Sequence, residues 1–140
     1  MEFSNNAWVV LAVMLAILGM GGGAIATTTL RPLGRRTPFK TPITDLSIPI
    51  SGEARHQFNQ GILAYREGGY AKAIDCFTKV LNGEPTLAEA FHNRARAQAN
   101  LAKQQAAADD FVAASDLYDR QGSKPGIDWI KTDLDVLVKF

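Results

Sequence analysis

Two hydrophobic patterns divide the chain. Residues 7–26 (AWVVLAVMLAILGMGGGAIA) carry no charge and hardly a polar atom, and at about 1.5 Å rise per residue such a run makes about 30 Å of helix, the thickness of a bilayer core. A transmembrane helix is therefore predicted within residues 1–30. Beyond residue 52 the apolar positions recur at helical spacing instead. Phe58, Ile62 and Tyr65 precede a Gly68-Gly69 break, and Ile74, Phe77, Val80 and Leu81 follow it, which predicts two short antiparallel helices. Thr86 and Glu89 have the spacing of a capping box at the start of a third helix, just past Pro85. A fourth is expected from near Gln104 to Asp119, with Phe111, Val112, Ala114 and Leu117 for packing and Gly122 at its end. A last helix, from about Gly126 to Lys139, sets Ile127, Ile130, Leu134 and Leu137 along one face and suits a cap over the open end of the stack. The fold class is all-α.

Residues 31–52 (RPLGRRTPFKTPITDLSIPISG) hold four of the six prolines, a density that blocks regular helix and favours extended backbone. The segment is either a spacer or an arm ordered against a partner. Arg31, Arg35, Arg36 and Lys40 cluster there without an acid, whereas residues 53–140 are balanced at 11 bases to 12 acids. Positive charge just after the apolar run, and Glu2 with no base before it, oppose a cleaved export signal. They place the C-terminal part on the cytoplasmic side of a plasma or thylakoid membrane, as a single-pass protein. Gly19 and Gly23 form a GxxxG within the span, a face that lets another helix approach closely in lipid. The alternative is that glycine is common in such helices and loosens the end of this one.

Residues 54–87 and 88–121 align at an offset of 34, pairing Ala54 with Ala88, Asn59 with Asn93, Ala73 with Ala107, Asp75 with Asp109 and Phe77 with Phe111. That is the period of a tetratricopeptide helix pair. The first copy resembles the tetratricopeptide repeat family in Gly61, in the turn Gly68-Gly69-Tyr70, in Ala73 and Phe77, and in Pro85. The second keeps Ala107 and Phe111 but has Ala95 for the glycine and Ala102-Lys103-Gln104 for the turn. The resemblance implies an anchor (1–30), a proline-rich basic linker (31–52), two repeats (53–121) and a capping helix (122–140). It also implies a concave face lined by the first helix of each pair: Arg55, Phe58, Asn59, Ile62, Tyr65 and Arg66, then Glu89, His92, Asn93, Arg96 and Asn100. The family's clamp for acidic chaperone tails needs a lysine and an asparagine where this chain has Phe58 and Ile62. A mixed apolar and basic groove suits a helix, an extended segment or the chain's own linker.

Little else offers chemistry. His56 and His92 belong to no metal-spaced motif, Gly68-Gly69 is a helix turn and not a phosphate loop, and Cys76 reads as a small buried residue. Asp109-Asp110 reads as solvated surface. No cofactor, metal or nucleic-acid partner is implied. The expectation is a non-enzymatic interaction module, bound to the bilayer through residues 7–26, that assembles, stabilises or recruits a membrane protein complex. Its anchored layout is similar to that of photosystem assembly factors of cyanobacteria and chloroplasts. A precursor receptor, like that of the mitochondrial outer membrane, and a stable accessory subunit are the alternatives.

Overall fold

The structure, a computed structural model, describes residues 37–140. The apolar run 7–26 with Gly19 and Gly23, and the bases Arg31, Arg35 and Arg36, lie outside the described residues. Within these the chain is all-α, with five helices and no strand: α1 (Gly52–Arg66), α2 (Tyr70–Gly83), α3 (Ala88–Asn100), α4 (Gln104–Arg120) and α5 (Lys124–Leu137). Among the described residues no helix is long and apolar enough to cross a membrane. Each helix packs chiefly on the next in sequence, as short connections between antiparallel neighbours require.

Three of the turns share one device. Gly69 N donates to Ala64 O at 2.8 Å, Lys103 N to Gln98 O at 2.9 Å and Ser123 N to Tyr118 O at 2.9 Å. The residue before each donor is left-handed: Gly68 (φ 77°), Ala102 (φ 59°) and Gly122 (φ 65°). This closure satisfies carbonyls that a helix end leaves orphaned, and it favours glycine at the left-handed position. Ala102 bears a Cβ there, which costs roughly 1–2 kcal/mol. Ala102→Gly is expected to stabilise the domain by about 0.5–1 kcal/mol, after the larger chain entropy of glycine is subtracted. Thermal melting followed by circular dichroism checks this, and an unchanged or lower midpoint would refute it.

Two apolar clusters fill the interior. Phe58, Ile62, Tyr65, Phe77, Val80 and Leu87 lead the first, and Phe39, Phe111, Tyr118 and Ile130 the second. Helix α3 lies between them because its alanines admit neighbours on both sides, Ala90 and Ala97 toward one cluster and Ala88, Ala95 and Ala99 toward the other. At Gly61 a Cβ would come within 2.8 Å of the Phe77 ring. This absence of a side chain brings α1 against α2, with Phe58 edge-on to Phe77 at 5.5 Å.

Several expectations need correction. Thr86 and Glu89 form no capping box: Leu87 occupies the cap position of α3 without a side-chain bond, and Glu89 turns to the arm described below. Helix α5 begins two residues early, at Lys124, because Ser123 Oγ accepts from Gly126 N and Pro125 suits the first turn. Val112 is exposed rather than packed. Asp110 is buried, not solvated: Arg94 donates to both its oxygens at 2.7 and 2.8 Å and to Thr78 Oγ1 at 3.1 Å, tying α2, α3 and α4 together.

Candidate functional site

Residues 37–51, the C-terminal part of the proline-rich segment, lie extended against the helices. The arm runs antiparallel to α3, and its backbone is held by side chains. Asn100 Oδ1 accepts from Phe39 N at 3.0 Å while its Nδ2 donates to Phe39 O at 2.7 Å. Asn93 repeats this on Ile43, accepting at 2.7 Å and donating at 2.8 Å. Glu89 Oε1 then accepts from Ser47 N at 2.8 Å, and Glu84 Oε1 from Ser51 N at 3.0 Å. The held amides thus fall at every fourth residue: 39, 43, 47 and 51. Tyr65 adds a hydroxyl bond to Phe39 O at 2.9 Å, and Arg96 Nη1 one to Thr41 O at 3.0 Å.

The arm's sequence has the same period. Thr37-Pro38-Phe39-Lys40 is followed by Thr41-Pro42-Ile43-Thr44, two copies of Thr-Pro-Φ-x, where Φ is a large apolar residue. Each proline biases the residue before it to extended backbone and removes a donor that would have no acceptor. Each Φ residue is buried and clamped by one asparagine, while Lys40, Thr41, Thr44 and Asp45 face solvent. Phe39 sits edge-on to Phe111 with ring centroids 5.8 Å apart, and the Arg96 guanidinium lies 5.8 Å from its ring centre.

Behind Arg96 lies a buried polar cluster. Asp133 of α5 accepts from Arg96 Nε and from Arg96 Nη2, the latter at 3.1 Å, and from His92 Nε2 at 2.7 Å. The Tyr118 hydroxyl is 3.3 Å from His92 Nδ1, so the neutral tautomer that donates to Asp133 and accepts from Tyr118 satisfies every group. Burial lowers the His92 pKa below its ordinary value, outweighing the bond to Asp133 that would raise it. Burial would also push the Asp133 carboxyl up, but hydrogen bonds from His92 and Arg96, with the Arg96 charge, bring it below the usual range. The Tyr65 and Tyr118 hydroxyls are pushed up, again chiefly by burial.

A pH dependence follows. An unfolded histidine takes a proton near pH 6.5, whereas folded His92 holds its neutral form to lower pH. The unfolded state therefore binds more protons below about 6.5, and stability, full above that value, declines as pH falls through the window. The depressed Asp133 carboxyl adds a second loss below about pH 4. The midpoint of urea unfolding is expected to drop between pH 7 and 5, and the drop should shrink in His92→Gln. An equal drop in the variant would exclude His92 as its cause.

The predicted lining separates into two groups. Phe58, Ile62, Tyr65, His92, Asn93 and Arg96 are gathered at or behind the arm, together with Glu89 and Asn100, whereas Arg55, Asn59 and Arg66 are exposed and outside the ladder. Phe58 and Ile62 belong to the cluster covered by Leu46, Ile48 and Ile50 of the arm, not to that of α5. Asp133, Tyr118 and Glu84 are additions that the helical spacing did not single out. Asp133 had a signal: it shares the face of Ile130 and Leu137, a lone acid in an apolar stripe. Gln121, which accepts from Ser47 Oγ and donates to Thr86 O, had none. His56 is exposed and Cys76 buried, and among the described residues no group of three His, Cys, Asp or Glu could hold a metal ion. No family model, curated protein or solved structure matches the chain.

Proposed function

We propose that the chain is a non-enzymatic, membrane-anchored interaction module of tetratricopeptide type that assists the assembly, stabilisation or recruitment of a membrane protein complex. The observation that carries this reading is the ladder on α3. Asn93, Asn100 and Glu89 are spent on the backbone of an extended segment, and gripping main chain in this way is what a protein-binding groove does. The offset of 34 between Ala54 and Ala88 extends to the turns, since left-handed Gly68 and Ala102 are equally spaced. The apolar run 7–26, with Gly19 and Gly23, supplies the anchor in this reading, and the likeness in layout to photosystem assembly factors makes a photosynthetic complex the first candidate partner.

A stable accessory subunit is the second reading, and the seated arm supports it, since with the groove filled the outer surfaces and the anchor are left to carry the contacts. Mild detergent solubilisation and affinity capture of the tagged full chain test both. Substoichiometric recovery with immature complexes supports an assembly role, and stoichiometric recovery with one mature complex a subunit. Recovery of the chain from the soluble fraction without any membrane protein would overturn the proposal.

A further inference from the structure

We infer that the groove along α3 is an exchangeable site for an extended segment of a partner protein, of pattern Pro-Φ-x-x-Pro-Φ, and that the arm is its resident competitor. The inference rests on the reading of the domain as an interaction module and names the ligand of that groove.

Three observations point to exchange. The floor under the arm is polar: Asn93, Asn100, Glu89, Arg96 and the Tyr65 hydroxyl all face it. These groups bond the arm's main chain, which any extended segment also presents, so the floor does not by itself select the arm over another chain. The arm is also an imperfect ligand, because Glu89, 1% exposed, has Oε1 on Ser47 N but leaves Oε2 buried without a partner. A segment bringing one more donor near that position satisfies it. Finally, the arm is gripped from one side. Phe39 and Ile43 are buried and Leu46, Ile48 and Ile50 are half-buried on the helices, while Lys40, Thr41, Thr44, Asp45, Ser47 and Pro49 leave its other face in solvent.

The same contacts define the ligand. Its N-terminal end lies at Asn100 and its C-terminal end at Glu89, antiparallel to α3. The two clamped residues are four apart, each preceded by proline. The first is aromatic, to meet the Phe111 edge and the Arg96 guanidinium, and the second aliphatic. Because the bonds go to main chain, the positions between are free. A covalently attached arm competes at an effective concentration on the order of mM, so it sets a threshold that only a well-matched or locally concentrated partner passes.

The test uses the full chain in detergent and a fluorescent peptide with the sequence of residues 37–47. The double variant Phe39→Asp, Ile43→Asp frees the groove without altering it. Fluorescence anisotropy should show the peptide binding this variant at least ~10-fold more tightly than the wild type, in line with relief from an intramolecular competitor. Adding Asn93→Leu should abolish the binding. A second peptide, keeping only Pro-Φ-x-x-Pro-Φ with Gly and Ser between, should bind within about threefold of the first, because main-chain bonds do not read the intervening side chains. Absent binding to a variant whose helical circular dichroism is retained, or indifference to Asn93→Leu, overturns the inference. Concentration-dependent dimers of the wild-type chain that the Phe39→Asp, Ile43→Asp variant abolishes also overturn it, by assigning the groove to the arm of a second copy. Should the double variant not fold, hydrogen exchange on the wild type decides: excess peptide must accelerate exchange at the Phe39 and Ile43 amides, and no acceleration refutes displacement. Such a failure would leave the capture result standing, since that experiment reads the anchor and outer surfaces as well.

Discussion

Asp133→Ala is expected to destabilise the helical domain by about 3–5 kcal/mol, the usual cost of removing one partner from a buried charged pair. Asp133 is 5% exposed and is the common acceptor for Arg96 and His92. Without it the Arg96 guanidinium keeps its charge in a mostly buried site and His92 loses the acceptor for its Nε2 proton. Stability of the order of 5–15 kcal/mol for a domain of this size makes such a loss easy to measure by urea unfolding. Asp133→Asn should fall between, since it retains an acceptor but not the charge. The effect should also reach the arm, because Arg96 holds Thr41 O. Faster hydrogen exchange at the Ile43 amide would report this. A loss below about 1 kcal/mol, the range of exposed pairs, would show that the cluster is not the tie between α3 and α5 described above.

Gly126→Val should be comparably severe for a steric reason. A Cβ at Gly126 would lie 2.3 Å from Tyr118 Cδ1, and Tyr118 is wholly buried with its hydroxyl against His92. The ring cannot withdraw without opening the polar cluster, so α5 must move out. Overpacking typically costs about 1–3 kcal/mol, and more where a rigid ring is the wall; about 3 kcal/mol is expected. Residues 124–140 should become sensitive to protease before the rest. Gly83→Ala is the control, with no atom within 4 Å of its added Cβ, and should raise stability by about 0.4–1 kcal/mol through the lower chain entropy of alanine. Equal behaviour of the two variants would exclude the contact with Tyr118 as the cause.

These two sites mark where the sequence was legible and where it was not. The helices were, because Phe58, Ile62, Tyr65, Phe77 and Val80 keep the helical period and Gly68 and Gly122 interrupt it. The ends were weaker: the apolar spacing starts the last helix at about Gly126, yet the Ser123 cap starts α5 at Lys124, and Gly126 is the residue that fits inside it against Tyr118. Polar contacts between distant positions were hidden. His92 and Asp133 are 41 residues apart, and no periodicity pairs them. Glu89 satisfied a local capping pattern, but the Ser47 amide competed for the same carboxylate and took it. The Thr-Pro-Φ-x tandem was visible in the sequence, although its meaning depends on two asparagines of α3, with two helices between.

Seating of the arm also decides where the helical domain is entered. With the arm docked the domain begins at residue 37, and with it released at α1, residue 52. The fifteen residues 37–51 span up to about 50 Å when fully extended. A ligand that takes the groove would therefore add that much reach ahead of the helices. Binding in one place would change what the module can touch in another, with no rearrangement of the helices.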